Sequence, residues 1–320
     1  MKNILVTGAL GQIGTELVSA LRQKYGEDHV IASDLRVLEN HPISQGKNFE
    51  ILDVMDYERF KYVAKRYEVD TIIHLAALLS AVAEAFPKRA WEINMTGLVN
   101  GLEVARELNL QFFTPSSIGA FGPNTPKINT PQVTIQRPSS MYGVTKVAGE
   151  LLCDYYFTKF GVDTRSMRFP GLISYVSLPG GGTTDYAVDI FYEALRKGNY
   201  ECFLSADTRL DMMYMDDAVQ AVIDLNEAEG SRLLNRNAYN VSGMSITPAE
   251  LAKAIQEEIP AFEISYKIDP VRQGIADSWP DQIDCQSAKD EWGFNPQYTL
   301  ESTVKEMLSQ LNKKLFVAVE

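Results

Sequence analysis

The feature that most constrains the fold is a glycine-rich turn between a short apolar run and the first amphipathic stretch. The run at residues 2–7 is typical of a buried strand, and residues 11–23 carry apolar side chains at helical spacing. Between them, TGALGQIG contains three glycines. Gly8 permits a tight turn, Gly11 lets a pyrophosphate approach the backbone, and Gly14 lets the helix pack on the sheet. A bound diphosphate would then meet free amides at the helix N-terminus.

Strand-like and helix-like segments alternate throughout the first half of the chain. The further predicted strands are 29–33, 69–76, 111–115 and 163–169, and the predicted helices are 56–67, 92–108 and 139–160. Such alternation indicates βαβ units with right-handed crossovers. The sequence therefore predicts the α/β class, with a Rossmann-type doubly wound parallel sheet.

An acidic residue follows the third glycine at the spacing that dinucleotide sites use. Asp34 ends the second predicted strand, where its carboxylate can bind both ribose hydroxyls and would repel a 2′-phosphate. This favours NAD over NADP, although Arg36 is of the type that accommodates a 2′-phosphate. Asp53 and Val54 are placed to bracket the adenine, with an ordinary helix cap as the alternative interpretation.

The pattern changes after Pro170, where the glycine run 180–182 interrupts the chain. Predicted helices follow at 185–197, 216–225, 248–258, 284–292 and 300–313, with one short strand at 238–241. We therefore expect an NAD-binding Rossmann domain at 1–172, which also receives about 212–242. A smaller, mostly α-helical substrate-binding domain is expected at 173–320.

Composition excludes several classes of function. The net charge of −12 disfavours nucleic acid and anionic membranes as partners. No stretch approaches the roughly 20 apolar residues of a membrane span, and the N-terminus does not resemble a signal peptide. Cys153, Cys202 and Cys285 are too scattered for a disulfide framework, which favours a cytoplasmic location. None of the three histidines has a partner at metal-ligand spacing, so no metal is expected.

A tyrosine and a lysine stand four residues apart in the predicted helix 139–160. Tyr142 and Lys146 therefore share a face, and the ammonium would stabilise the phenolate of a general acid/base. The string FFTPSSIGAFG supplies Ser116 and Ser117 as hydroxyls that could hold a substrate oxygen. The YxxxK spacing alone is common on helix surfaces, but together with the glycine turn and Asp34 it indicates a catalytic set.

These motifs resemble the extended, epimerase-like branch of the short-chain dehydrogenase/reductase superfamily over essentially the whole chain. The matching pieces are TGALGQIG, HLAA at 74–77, Asn94, PSSIGAFG, YGVTK, RFPG at 168–171 and MYMDDAVQA at 213–221. The resemblance implies that Tyr142 is the catalytic acid/base, Lys146 its tuning residue and Ser117 the catalytic serine. Ser116 is close enough to share or take that role.

The same resemblance implies NAD as cofactor and a set of residues that hold it. They are Gly8, Gly11, Gln12, Ile13, Gly14, Asp34, Arg36, Asp53, Val54, Leu75, Ala76, Ala77, Asn94, Tyr142, Lys146, Phe169, Gly171 and Leu172. Those at 169–172 would approach the nicotinamide.

Two unusual strings narrow the resemblance to the short-chain type of L-threonine 3-dehydrogenase. They are LPGGGTTDYAVDIFYEAL at 178–195 and RQGIADSWPDQID at 272–284, and LLSA at 78–81 also fits. The resemblance implies metal-independent oxidation of the L-threonine 3-hydroxyl to 2-amino-3-oxobutanoate. The implied substrate residues are Ser80, Ser117, Tyr142, Gly182, Thr183 and Trp279. Helix caps at Ser80 and Thr183, and a core role for Trp279, remain alternative interpretations.

The nearest alternative function is a nucleotide-sugar epimerase or dehydratase with tightly held NAD. Arginines that could bind a diphosphate occur at 209, 232, 236 and 272. However, RQGIADSWP departs from the Arg-x-Gly-Asp string that such enzymes would show near Arg272. A catalytically silent NAD-sensing protein is a further alternative, which the intact serine, tyrosine and lysine disfavour.

The superfamily resemblance also implies a homodimer. Helices 92–108 and 139–160 would pair with those of a second copy in a four-helix bundle. The apolar residues available for that contact, which could equally belong to the core, are Ala148, Leu151, Leu152, Tyr155 and Tyr156.

Overall fold

The structure is a computed structural model that describes residues 1–178 and 180–317. Its strands are β1 (Ile4–Thr7), β2 (Val30–Asp34), β3 (Phe49–Ile51), β4 (Thr71–His74), β5 (Gln111–Phe113), β6 (Ser116–Ser117), β7 (Thr164–Arg165), β8 (Met167–Phe169), β9 (Gly171–Ile173), β10 (Asn199–Cys202), β11 (Leu210–Tyr214), β12 (Tyr239–Asn240), β13 (Met244–Ile246) and β14 (Glu263–Tyr266).

The α-helices lie between and after these strands. They are α1 (Gln12–Tyr25), α2 (Tyr57–Arg66), α3 (Ser80–Ala85), α4 (Pro87–Trp91), α5 (Gly97–Leu108), α6 (Met141–Phe160), α7 (Tyr186–Lys197), α8 (Met215–Glu227), α9 (Pro248–Glu258), α10 (Pro270–Asp277), α11 (Gln286–Trp292) and α12 (Leu300–Asn312). Short 3₁₀ turns occur at Glu27–His29, Ile118–Ala120 and Gly230–Arg232, and π-helical turns at Glu92–Thr96 and Lys313–Val317.

The main sheet has six parallel strands in the order β3-β2-β1-β4-β5-β7. Strand β1 is fully buried because helices cover both faces of the sheet, as a parallel sheet requires. Helices α1 and α8 pack together on one face, and α2, α5 and α6 on the other. The predicted doubly wound Rossmann-type fold is therefore confirmed. The strand order reverses beside β1, so the crevice at its carboxyl end is the expected ligand site.

Register brings the functional ends of the central strands together. Thr7 at the end of β1 lies opposite Ser33 of β2 and His74 of β4. Asp34 and the segment that begins at Leu75 therefore emerge on either side of the glycine turn. This register is what makes one crevice from residues that are far apart in sequence.

The second half of the chain differs from the sequence expectation in its strands. Only 238–241 was expected there, whereas β10, β11, β13 and β14 are also present. Strands β11 and β13 join β9 in the order β13-β11-β9, and β10 pairs with β14. A further small sheet has the order β12-β8-β6. Strands β10, β11, β13 and β14 have only three to five residues, which gives few positions on which a strand can be recognised from sequence. The predicted strand 163–169 is likewise two strands, because β7 pairs with β5 while β8 pairs with β6 and β12.

Besides the hydrophobic packing on the two faces of the main sheet, a further hydrophobic cluster lies between α7, α9 and α12 and includes Trp279. The expected domain boundary at residue 172 falls within β9, which pairs with β11, and the two-domain division stays a prediction. Throughout the described ranges, no helix is long and apolar enough to cross a membrane.

Candidate active site

The glycine turn forms a cradle at the N-terminus of α1. Gly8 has φ +68°, and a Cβ added there would lie 2.8 Å from the Ala76 amide nitrogen. A Cβ on Gly14 would lie 2.4 Å from the Gly8 carbonyl oxygen, so the helix cannot pack this way with a side chain at 14. Gly11 is the N-cap of α1 and supplies no side-chain cap. The first amides of the helix therefore face the crevice without an intrahelical partner, which suits a pyrophosphate.

The carboxylate of Asp34 is fixed beside this cradle. Its Oδ2 accepts a hydrogen bond from the Leu10 amide at 3.1 Å, and its Oδ1 accepts one from the Leu35 amide at 2.8 Å. These donors hold the carboxylate in place while its remaining lone pairs stay available for ribose hydroxyls. A carboxylate held here would repel a 2′-phosphate.

A large outer cavity of about 1050 Å³ extends from Asp34 along the carboxyl ends of the strands. Among the predicted cofactor residues, it is lined by Gly8, Gly11, Asp34, Arg36, Asp53, Val54, Leu75, Ala76 and Ala77. Leu35 and Phe86, which the sequence analysis did not identify, also line it and are about 60% exposed (63% and 60%). Apolar side chains exposed on a cavity suit a flat heteroaromatic ring such as adenine. No sequence motif marked them, because an exposed leucine or phenylalanine has no local signature.

The predicted catalytic pair is brought together at the start of α6. The Ser140 hydroxyl caps this helix by accepting a hydrogen bond from the Gly143 amide at 3.1 Å. The cap fixes the first turn of the helix, which carries Tyr142. The Lys146 ammonium lies 5.3 Å from the centre of the Tyr142 ring. It also donates to the Pro115 carbonyl oxygen at 2.7 Å, so its position next to the tyrosine is fixed.

Ser117 faces the same tyrosine across Gly119. A Cβ added to Gly119 would lie 3.2 Å from the Tyr142 ring and 3.4 Å from Ser117 Oγ. Ser117 Oγ accepts a hydrogen bond from the Gly119 amide at 3.1 Å, which leaves its own proton free to donate to a substrate oxygen. The missing side chain at 119 is therefore what lets serine and tyrosine approach one another.

Ser116 takes a different direction, as successive residues of a strand do. Its hydroxyl donates to the buried carboxylate of Glu150. Arg168 binds the same carboxylate through Nε at 3.0 Å and Nη2 at 2.8 Å, and Gln136 donates to it at 2.7 Å. The Ser116 hydroxyl is thus committed to a buried polar network. Glu150 was missed by the sequence analysis, although its spacing of four residues from Lys146 could have indicated it.

A smaller inner cavity of about 230 Å³ lies between Tyr142 and the second half of the chain. The predicted residues lining it are Gly8, Gly11, Gln12, Ile13, Gly14, Leu75, Ala77, Ser80, Ser116, Ser117, Tyr142, Lys146, Phe169, Gly171, Leu172, Gly182, Thr183 and Trp279. Two cavities therefore collect every predicted site residue except Asn94. Ile118, Thr184 and Asp185 line the inner cavity too, and were not predicted.

The far side of the inner cavity consists of two hydroxyls and an indole. Ser80 Oγ and Thr183 Oγ1 lie 3.4 Å apart, and both residues are buried. Trp279 is 5% exposed. The glycine run before Thr183 is held in place by the Asp185 carboxylate, which accepts from the Gly181 and Gly182 amides at 2.8 and 2.7 Å.

Asn94 lies behind the site, in the π-helical turn that precedes α5. Its Oδ1 accepts from the Leu78 amide at 2.7 Å, and its Nδ2 donates to the Leu78 carbonyl at 3.2 Å and to Thr145 Oγ1 at 3.3 Å. It therefore ties the segment that lines both cavities to the helix that carries Tyr142. Its contacts support a positioning function rather than direct contact with a ligand.

His74 is a buried structural residue. Its Nδ1 lies 3.0 Å from Thr7 Oγ1, and its ring stacks between Phe60 and Phe112. Burial, with a smaller effect from the Lys146 charge, lowers the pKa of His74 to about 3, so the ring is neutral at physiological pH. Within the described ranges, no group of three or more His, Cys, Asp or Glu side chains is arranged to hold a metal ion.

The chain is similar to known proteins over nearly its whole length. Residues 4–242 match the family model described as the NAD dependent epimerase/dehydratase family. An uncharacterized epimerase/dehydratase of Staphylococcus saprophyticus is 61% identical, over 98% of either chain. The solved structure of L-threonine dehydrogenase from Clostridium difficile is 60% identical with a TM-score of 0.97, over 98% of either chain. A UDP-glucose 4-epimerase from Thermotoga maritima, solved with UDP-glucose, is 26% identical with a TM-score of 0.83, over 98% of this chain and 99% of that one.

Proposed function

The chain belongs to the NAD dependent epimerase/dehydratase family, and within it we propose that this protein oxidises the 3-hydroxyl of L-threonine with NAD, giving 2-amino-3-oxobutanoate. The similarity to L-threonine dehydrogenase from Clostridium difficile supports this substrate, because 60% identity extends over nearly the whole chain. The family match supports an NAD-dependent oxidoreductase chemistry in general.

One observation carries the choice of substrate. Ser80, Thr183 and Trp279 come from three distant parts of the sequence and close one small cavity against Ser117 and Tyr142. At about 230 Å³, the inner cavity suits a nicotinamide edge and a small polar molecule. The Ser80 and Thr183 hydroxyls can donate to a carboxylate and accept from an ammonium, so they suit a small zwitterion. Such a substrate does not require a cluster of basic side chains.

The chemical roles follow from the positions of three side chains. Tyr142, as phenolate, takes the proton of the substrate hydroxyl, and Ser117 donates a hydrogen bond to the same oxygen. Lys146, held by the Pro115 carbonyl, would stabilise the phenolate and bind the cofactor ribose. Bound NAD supplies the hydride acceptor for the substrate Cβ. Thr183 and Trp279 orient the substrate and keep water from the reacting atoms.

The proposed cofactor site has a platform and a reacting end. The cradle of Gly8, Gly11 and Gly14 would hold the diphosphate, and Asp34 the adenosine ribose. Phe169, Gly171 and Leu172 line the inner cavity where the nicotinamide would lie.

The test is to follow NADH absorbance after mixing the purified protein with NAD and L-threonine, and separately with NAD and a nucleotide-sugar. We expect NADH to form from NAD in the presence of threonine but not of the nucleotide-sugar. We expect this activity to survive exhaustive chelation, because no metal is needed. Conversion of the nucleotide-sugar, followed by chromatography of the sugar product, with no NADH formed from threonine would reject the proposal. Loss of threonine oxidation on chelation, restored by zinc, would reject the metal-independent mechanism.

The second candidate function is a nucleotide-sugar epimerase or dehydratase with tightly held NAD. The fold of the Thermotoga UDP-glucose 4-epimerase favours it. Against it, Arg209 binds Glu250 and the Ser245 carbonyl, and Arg236 binds Asp163, so these guanidinium groups are engaged within the protein. Such an enzyme would also show no net release of NADH, so its product has to be detected by chromatography of the nucleotide-sugar.

We also propose a homodimer through helices α5 and α6. Val144, Leu151 and Tyr155 lie on one face of α6 and are 41%, 62% and 52% exposed, so this apolar stripe is open to solvent in the single chain. A second copy would cover it in a four-helix bundle. Sedimentation should give a dimer mass for the native protein and a monomer mass for Leu151→Glu, and a monomeric native protein would reject this assembly.

A further inference from the structure

A single lysine fastens the segment that carries Trp279. The Lys127 ammonium donates to the Asp277 carbonyl at 2.6 Å and to the Trp279 carbonyl at 2.8 Å, and lies 3.6 Å from Asp281 Oδ1. Two of its three protons are thus committed to backbone oxygens on the chain that forms one wall of the inner cavity.

These acceptors lie where a cation is favoured. Helix α10 ends at Asp277, and its last carbonyls have no intrahelical partner. A positive charge at the carboxyl end of a helix is stabilised by the helix dipole. Lys127 therefore holds the end of α10 and, two residues later, the main chain of Trp279.

The backbone of Lys127 holds the same segment on the other side of Trp279. The Lys127 carbonyl accepts from the amides of Asp281 at 2.9 Å and Gln282 at 3.0 Å. Thr130 extends this contact, because its amide donates to the Gln282 carbonyl at 3.0 Å. Side chain and main chain of one residue thus bracket the tryptophan.

Lys127 stands on a loop whose two ends carry the catalytic side chains. The loop follows the turn of Ser117 and leads into the helix of Tyr142. Its neck is tight, since a Cβ on Gly122 would lie 1.9 Å from the Arg137 carbonyl oxygen, and Thr125 Oγ1 donates to the Ile135 carbonyl at 2.7 Å. This loop therefore connects the wall that contains Trp279 to the turn of Ser117 and the helix of Tyr142.

We propose that Lys127 is a positioning residue that holds Trp279 against the inner cavity and so keeps this wall of the substrate-binding space in place. The inference rests on the proposed function only for the identity of the substrate. The position of Trp279 can be measured in the protein without any ligand.

The experiment compares Lys127→Met with Lys127→Arg, which keeps the cation, and with Lys253→Met, an exposed lysine of α9, as the matched control. Acrylamide quenching of Trp279 fluorescence is measured in protein where Trp91 and Trp292 are replaced by Phe. In Lys127→Met we expect quenching to rise about twofold and KM for threonine to rise about tenfold, since charged hydrogen bonds are lost. We expect kcat to change less than about threefold and NAD affinity to stay unchanged.

Lys127→Arg is expected to restore most of the quenching protection and of the KM, and Lys253→Met to behave as the native protein. Unchanged quenching and KM in Lys127→Met would overturn the proposal, and so would a lower Tm accompanied by native quenching, which assigns the lysine to stability alone. If quenching responds but threonine is not oxidised by the native protein, the proposed function fails and the positioning role stands.

Discussion

The cradle at α1 and the wall at Trp279 line the same inner cavity but are built in opposite ways. The cradle is made by seven consecutive residues, Gly8 to Gly14, whose geometry follows from the local absence of side chains. The wall needs Ser80, Thr183 and Trp279, which are separated by about a hundred residues each and meet only through packing and a lysine clamp. A site can thus combine a cofactor platform encoded by neighbouring residues, here the cradle, with a wall that depends on the whole chain. Substitutions in the two regions should therefore fail in different ways.

Tyr142→Phe tests the point where platform and wall meet, and the largest effect is expected there. Removing the hydroxyl should lower kcat about 10³-fold or more, because the proton acceptor is lost. NAD affinity, measured by calorimetry, should stay within about twofold of the native value. Near-normal turnover in this variant would remove Tyr142 from the mechanism.

Ser117→Ala and Ser116→Ala separate two neighbouring hydroxyls, of which the family resemblance favours Ser117 and leaves Ser116 open. Ser117→Ala should lower kcat about 10²-fold, since it removes a hydrogen bond to the reacting oxygen. Ser116→Ala should act mainly on stability, because its partner is the Glu150 carboxylate within a buried network. Steady-state kinetics and thermal unfolding of both variants measure these two effects. A larger loss of kcat in Ser116→Ala than in Ser117→Ala would show that Ser116 is the catalytic serine.

Gly14→Ala perturbs the platform alone. The added Cβ would meet the Gly8 carbonyl oxygen at 2.4 Å, so α1 must shift away from the turn. We expect NAD affinity to fall about 10- to 100-fold, equivalent to roughly 1–3 kcal/mol of overpacking. Gly274→Ala in α10, where an added Cβ meets nothing within 4 Å, is the control. Equal NAD affinity in the two variants would contradict the close packing of the cradle.

Thr183→Val perturbs the wall alone and should give the smallest effect. It removes a buried hydroxyl that lies 3.4 Å from Ser80 Oγ and preserves the volume of the side chain. KM for threonine should rise about tenfold, as expected for one lost hydrogen bond to a charged group, while NAD affinity stays unchanged. A matching loss of NAD affinity would show that platform and wall are coupled rather than separate.

Sequence analysis predicted the platform more completely than the wall. The glycine turn, Asp34 and the Tyr142–Lys146 spacing each follow from a local rule, and the structure collects them in one crevice. The family that they resemble is confirmed by the match over residues 4–242, whereas the roles of the individual residues stay predictions. Glu150 and Lys127 were missed because their partners lie on other elements and leave no periodic signal.

By itself the sequence determined the parallel sheet, the glycine cradle and the tyrosine–lysine face, because strand and helix periods and glycine stereochemistry act over a few residues. Only the tertiary structure decided which serine faces Tyr142, which side chains close the inner cavity and how Trp279 is held. Those outcomes depend on strand pairing and on contacts between distant segments, such as Ser116 with Glu150 and Lys127 with the end of α10. Their free energy comes from burial and hydrogen bonds that exist only once the chain has folded.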